Sequence, residues 1–292
     1  MINYDSPAEL RAFLDKHGLG MRKKYGQNFL INPAVRSRLI NALDFSKGAH
    51  VWEIGPGLGA MTRILLEKGA HVTAFEIDPA FCRALGDFFR PDPAFFLVEG
   101  DVFKTWPLIS AKEELFLLGN LPYNIAAAIL ADFIEKGRFF RRMVVTVQKE
   151  VALRMAARPD SPDYSSFSVL CSSSYKVSPL DLIKGSSFYP VPKVDSRGVR
   201  LDLRCDRENK SVLFYPLVRR LFSGRRKTIR NTLTAFAASV IMNQVPNAKG
   251  SAMEAASEVL RQAGISGERR AETLSPDEFT ALAAFLERIV YA

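Results

Sequence analysis

The chain has 292 residues, 48% of them hydrophobic, and a formal net charge of +9. That length suits one large and one small domain, and that apolar share suits a folded chain with a buried core rather than a disordered tail. No run of eighteen apolar residues exists, so no membrane association is expected, and the scattered Cys82, Cys171 and Cys205 and scattered histidines offer neither a disulfide framework nor a metal spacing.

Ser6 followed by Pro7 predicts a helix over 5–17, and Asn32 followed by Pro33 predicts another over 33–44. Ser and Asn side chains accept from the free amides of a first helical turn, and Pro has no amide to leave unpaired there. The beginning of the chain, MINYDSPAEL, has an early acid and no apolar core of the kind a secretory signal needs. From residue 51 the pattern changes. Residues 51–54 predict a strand broken at Gly55, followed by a helix over 59–68 and a second strand over 71–77. Pro79 opens a helix to about residue 89, and 95–98 is a third strand. Residues 115–118 make a fourth strand, 125–136 a helix and 143–147 a fifth strand. Such alternation predicts a parallel, doubly wound sheet. The stretches 167–175 and 198–203 read as strands that complete it.

From about Asp206 helical stretches dominate, over 212–222, 226–242, 253–263 and 276–290. The expected fold class is therefore α/β. A Rossmann-like domain covers 1–205, with an N-terminal helical extension over 1–45, and a smaller helical domain covers 206–292. Between Ser211 and Met253 there is no acidic residue, yet Arg225, Arg226, Lys227 and Arg230 fall in that span. With Arg22, Lys23 and Lys24 near the start, these clusters predict a polyanionic partner held through its phosphates.

The first strand ends in Glu53-Ile-Gly55-Pro-Gly57-Leu-Gly59-Ala60. Glycines there let the backbone turn sharply and approach a ligand. Glu76, at the end of the second strand, is placed to accept from both hydroxyls of an adenosine ribose. Asp101, after the third, is placed to accept from the adenine amino group. Gly55, Gly57 and Ala60 also satisfy the G-x-G-x-x-[GA] pattern of dinucleotide folds, so a nicotinamide dinucleotide is an open alternative. Glu53, two residues before the first glycine, suits a cationic ligand such as S-adenosyl-L-methionine.

In an open α/β sheet ligands sit at the carboxyl ends of strands, where strand order reverses. With order 3-2-1-4-5, the stretch after the fourth strand, Asn120-Leu121-Pro122-Tyr123, faces whatever the glycine loop holds. An exocyclic amine on a base is a poor nucleophile because its lone pair is delocalised into the ring. The Asn120 side-chain carbonyl and the Leu121 backbone carbonyl can take its two N–H groups and turn the lone pair toward an electrophile. Pro122 stiffens the loop, and Tyr123 offers a ring on which a flipped base stacks.

Several segments in this order closely resemble one family. They are Lys24-Tyr-Gly-Gln-Asn-Phe-Leu30, Glu53-Ile-Gly-Pro-Gly-Leu-Gly59, Asn120-Leu-Pro-Tyr-Asn124, Val147-Gln-Lys-Glu-Val151, Phe188-Tyr-Pro-Val-Pro-Lys-Val-Asp-Ser196, Arg225-Arg-Lys-Thr-Ile-Arg-Asn231 and Arg270-Ala-Glu-Thr-Leu-Ser275. The chain resembles the ribosomal RNA small-subunit adenine N6,N6-dimethyltransferases, the KsgA family, from about Lys23 to Phe285. The resemblance implies an S-adenosylmethionine-dependent methyltransferase sheet. It implies transfer of two methyl groups to N6 of each of two adjacent adenosines near the 3′ end of small-subunit rRNA, during assembly of a 30S-type subunit. It implies that Asn28, Leu30, Gly55, Glu76, Asp101 and Asn120 contact the cofactor. Phe188 would be the wall opposite Tyr123, and Arg225-Arg226-Lys227 would grip RNA. The family usually has Ser where Ala126 stands and Gln where Gly224 stands; neither departure removes a catalytic group. A cytoplasmic monomer is expected. The competing readings are an N6-adenine DNA methyltransferase and a non-catalytic ribosome assembly factor.

Overall fold

The computed structural model describes residues 2–20, 26–110, 114–205, 210–244 and 252–291. The chain divides into two compact units. One comprises Met1–Leu153 with Lys176–Leu203, and the other Arg154–Tyr175 with Arg204–Ala292.

The first unit begins with α1 (Pro7–Lys16), where the Glu9 amide donates to Ser6 Oγ at 3.3 Å, and the short β1 (Phe29–Leu30). Next comes α2 (Pro33–Leu43), where the Val35 amide donates to Asn32 Oδ1 at 3.2 Å. Both helices start where the Ser-Pro and Asn-Pro pairs predict. Then strands and helices alternate as β2 (His50–Ile54), α3 (Ala60–Glu67), β3 (His71–Glu76), α4 (Pro79–Phe89), β4 (Phe95–Glu99), α5 (Val102–Thr105), β5 (Leu115–Asn120), α6 (Ala126–Glu135), β6 (Arg142–Gln148) and α7 (Lys149–Ala156). After α8 (Ser166–Ser174) come β7 (Tyr175–Ile183), β8 (Phe188–Tyr189) and β9 (Ser196–Leu203).

The seven-stranded sheet has the order β4-β3-β2-β5-β6-β9-β7. Its first five strands are parallel, and β9 runs antiparallel to β6. The expected order 3-2-1-4-5 is the order of those five strands. Apart from end residues, β2, β5 and β6 are buried along their length, which is why they read as largely apolar runs, interrupted by Glu53 and Thr146, rather than as alternation. Trp52, Phe133 and Phe140 pack together, with ring centroids 5.1–6.2 Å apart. Leu39, Leu43, Leu65, Leu85 and Phe116 belong to another part of the core. The pair β1 and β8 forms a separate two-stranded ribbon in which Leu30 faces Phe188.

The structure differs from the sequence expectation in two places. Residues 167–175 are not a strand: 166–174 form α8, and β7 starts at Tyr175. This serine-rich run misleads because its serines bond to carbonyls of their own helix and of the preceding α7. Ser172 Oγ donates to Ser168 O at 2.7 Å, Ser173 Oγ to Leu170 O at 3.0 Å, and Ser168 Oγ to Arg154 O at 2.5 Å. The serines at 168, 173 and 174 can therefore be buried with Phe167, Val169 and Cys171. For the same reason 154–175 belongs with the helical unit and not with the sheet domain to which the expected boundary at 205 assigned it.

The second unit adds α9 (Phe214–Ser223), α10 (Ile229–Gln244), α11 (Ala252–Ala263) and α12 (Pro276–Tyr291). On α9 the buried residues Phe214, Leu217, Val218 and Leu221 recur at helical spacing and make one apolar face. Phe222 stacks on Phe279 at 5.7 Å, and the buried Tyr164 hydroxyl donates to Leu274 O at 2.8 Å. Among the described residues no helix is long and apolar enough to cross a membrane, and no group of three His, Cys, Asp or Glu is placed to hold a metal.

Candidate active site

The strand register sets a row of residues along one edge of the sheet. Ile54 pairs with Phe75 on one side and Gly119 on the other, and Glu76 pairs with Glu99. The residues that follow or close these strands therefore lie side by side: Gly100-Asp101 after β4, Glu76 ending β3, Gly55 after β2 and Asn120 ending β5. Neighbouring strands stand about 4.8 Å apart, so the row is roughly 14 Å across. One cleft of about 1040 Å³, its open mouth included, is lined by Asp101, Glu76, Gly55, Gly57, Asn120 and Pro122. Asn28 and Leu30 line it as well. Every expected cofactor residue thus reaches one cavity.

Each polar group in the row is fixed but not used up. The Ile77 and Asp78 amides donate to Glu76 Oε1, both at 2.9 Å, and the Gly57 amide to Oε2 at 3.2 Å. A carboxylate has about four acceptor sites, so Oε2 retains one. Burial pushes the Glu76 carboxyl up to about 7, against the three amides that favour its charge. Asp101 caps α5, with Oδ1 accepting from the Phe103 amide at 3.0 Å. Gly55 sits at φ +69, and a Cβ there would meet nothing within 4 Å. It would project into free space, as expected where backbone must lie close to a ligand. Ile77, 41% exposed, lines the cleft and gives a purine an apolar surface. The residues present therefore fit an adenosine-bearing cofactor, with Glu76 for the ribose and Asp101 for the base.

Asn120 is oriented by its neighbour across the cleft. Its Nδ2 donates to the backbone oxygen of Asn28 at 2.7 Å. Because the partner is a carbonyl, the amide nitrogen must point there, and Oδ1 is the atom left for a substrate. The next residue is pinned too, since the Leu121 amide donates to Thr146 O on β6 at 3.2 Å. The Ile125 and Ala126 amides close on Pro122 O at 3.1 and 2.9 Å. The Tyr123 hydroxyl is 2.5 Å from Ser196 Oγ.

Some expectations differ from what is found. Phe188 presents no wall: it is 1% exposed and belongs to the core with Leu30, Val35 and Leu39. Its antiparallel pairing with Leu30 turns the ring inward. Leu121 is 1% exposed, which leaves its backbone as the part able to act. Glu53 does not line the cleft. It is fully buried, Oε2 accepts from Thr62 Oγ1 at 2.6 Å, and Oε1 has no partner. Burial pushes its carboxyl up to about 7, so it offers no fixed negative charge to a cationic ligand.

Tyr4, Gln27 and Arg36 also line the cleft; Gln27 falls in the segment 24–30 that carries the resemblance, whereas Tyr4 and Arg36 carry no signal in the sequence. Tyr4 donates to Leu58 O at 2.9 Å. Arg36 donates to Leu30 O at 2.7 Å and pairs with Asp5. In the second unit Arg225, Arg226, Lys227 and Arg230 are exposed on and beside the turn between α9 and α10. Arg225 lies 3.5 Å from Glu272 and Arg230 lies 3.4 Å from Glu268. Arg22, Lys23 and Lys24 lie outside the described residues.

This sheet, with carboxylates at two adjacent strand ends beside a glycine loop, has the architecture that an S-adenosylmethionine-dependent methyltransferase needs. Residues 18–281 match the model of the ribosomal RNA adenine dimethylase family. The chain belongs to the ribosomal RNA adenine dimethylase family. It is 45% identical to the ribosomal RNA small subunit methyltransferase A of Treponema denticola over 96% of this chain and 94% of that one. It is 41% identical to the protein of the same description from Treponema pallidum, over 99% of each. A dimethyladenosine transferase from Plasmodium falciparum shares the fold, with a TM-score of 0.75, 24% identity and coverage of 88% of this chain and 96% of that one. The 23S rRNA methyltransferase ErmE does so with a TM-score of 0.61 and 23% identity, over 88% and 99%. The cofactor is accordingly S-adenosyl-L-methionine, and the nicotinamide alternative is set aside.

Proposed function

We propose that the chain transfers methyl groups to N6 of two adjacent adenosines near the 3′ end of small-subunit rRNA, two to each, on an assembling 30S-type subunit. The observation that carries this reading is the row of strand ends, in which Asp101, Glu76, Gly55 and Asn120 line one cleft. When bound, S-adenosylmethionine supplies a methyl group made electrophilic by its sulfonium.

The protein's part is to bind, orient and exclude. Glu76 accepts from a ribose hydroxyl through Oε2, and Asp101 from the adenine amino group of the cofactor. Asn120 Oδ1, freed by the bond from Nδ2 to Asn28 O, accepts one N–H of the substrate amine. The Leu121 carbonyl accepts the other. Holding both N–H groups favours a pyramidal nitrogen whose lone pair faces the methyl. Orientation of this kind supplies most of the rate. No strong base is needed at Asn120, because the nitrogen becomes acidic as the methyl bonds and its proton leaves to water. Tyr123 stacks on the flipped adenine, and the exposed Arg226 and Lys227 neutralise RNA phosphates.

The test is incubation of the purified chain with labelled cofactor and unmethylated small subunits, followed by nucleoside mass spectrometry. Dimethylated adenosine at two adjacent positions near the rRNA 3′ end is the expected product. Methylation of DNA in preference to the subunit, or binding without methyl transfer, would replace this reading with a DNA methyltransferase or a non-catalytic assembly factor.

A further inference from the structure

Tyr123 sits in the turn between β5 and α6, half-buried, where a ring without a tether is free to rotate about its side-chain bonds. Its hydroxyl lies 2.5 Å from the hydroxyl of Ser196, and either oxygen can be the donor. Ser196 is fully buried, as the first residue of β9. Its position is set by several bonds. It pairs across the sheet with Gln148, at the end of β6. The preceding Asp195 accepts at its backbone oxygen from the Lys149 amide at 3.1 Å, and at Oδ1 from the Gly185 amide at 3.1 Å. The bond therefore ties a turn residue to a rigid strand more than seventy residues further along the chain.

We propose that Ser196 is a positioning residue whose hydroxyl locks the Tyr123 ring in the orientation that stacks on the substrate base. The proposal rests on the reading of Tyr123 as the stacking platform. The tether saves the rotamer entropy that stacking would otherwise have to overcome. Burial pushes the Tyr123 hydroxyl above its ordinary range, so it stays protonated and the bond persists across the working pH.

The test measures single-turnover transfer to small subunits, with cofactor saturating, for Ser196→Ala, Tyr123→Phe, the double variant and Tyr123→Ala. Calorimetry gives cofactor affinity alongside. Ser196→Ala and Tyr123→Phe should each slow transfer roughly three- to tenfold, the range of one net hydrogen bond. The double variant should be no slower than either single one, because both remove the same bond. Cofactor affinity should not change, and Tyr123→Ala should be slowest. Tyr123→Phe removes the bond without touching the buried strand, which separates positioning from a folding defect of Ser196→Ala. Additive losses in the double variant would overturn the proposal. So would a parental rate for Ser196→Ala beside a damaged Tyr123→Ala, while leaving Tyr123 as the platform. A parental rate for Tyr123→Ala would remove the stacking reading and the proposal with it.

Discussion

Glu76 shows how one side chain is made both a rigid acceptor and a titratable one. Three backbone amides hold its carboxylate, yet burial raises it to about 7 from an ordinary 4.5. Ribose hydroxyls donate, so they prefer the ionised form. Affinity for S-adenosylmethionine should rise between about pH 6 and pH 8, and Glu76→Gln should flatten that rise. Calorimetry at several pH values checks it, and affinity that falls with pH would contradict it. Glu76→Ala should lose one ribose hydrogen bond to a charged acceptor, on the order of 1.5–3 kcal/mol. Stability moves the other way. Glu53 and Glu76 bind protons more readily in the native state than in the unfolded chain. Their contribution to the cofactor-free protein is complete below about 4.5 and is lost as pH rises through about 7. Glu76, Asp101 and Gly55 were legible in the sequence because each closes or follows its own strand. Glu53 was not, because its place before the glycines says nothing about which face of β2 it takes, and it turns toward Thr62 on α3. The orienting roles of Ser196 and Asn28 have no local sequence sign, because each acts on a residue more than seventy positions away.

Helix starts are where sequence and structure agree best among the elements. Ser275-Pro276-Asp277-Glu278 opens α12 with reciprocal bonds: the Glu278 amide to Ser275 Oγ at 3.2 Å, and the Ser275 amide to Glu278 Oε2 at 2.7 Å. Ser275→Ala should cost about 1 kcal/mol of stability, read as a shift in the urea midpoint. An unchanged midpoint would mean that the first turn finds its partners elsewhere. Burial works against ionisation of Glu278. The Arg269 guanidinium and the Ser275 amide outweigh it and hold the carboxyl below its ordinary range. This support is present at neutral pH and is lost as pH falls through that lowered value. Helix α8 was not legible, since its serines bond to carbonyls of their own helix and of Arg154, and local composition does not reveal that. Gly224, where the family pattern has Gln, has little room beside it. A Cβ there would lie 2.9 Å from Thr232 Cγ2, so a side chain needs that contact to shift.

At the scale of the molecule the chain combines a sheet unit that carries the cleft with a helical unit that carries exposed cations. Arg225 and Arg230 each have a carboxylate within reach, whereas no ion pair is found for Arg226 or Lys227 among the described residues. Arg226→Ala with Lys227→Ala should weaken RNA binding across sequences and lower the salt slope by roughly one per lost phosphate contact. An unchanged slope from a filter-binding titration would mean that this turn is only solvated. The central claim is that Asn120 acts in methyl transfer more than in cofactor capture, and single-turnover transfer by Asn120→Ala on small subunits tests it most directly. Cofactor affinity should fall only modestly, because Glu76, Asp101 and the glycine loop remain. The transfer rate at saturating cofactor should fall on the order of a hundredfold, the loss expected when a nucleophile is misaligned. Transfer by Asn120→Ala at the parental rate would contradict the account and leave the loop after β5 as a mere strand end.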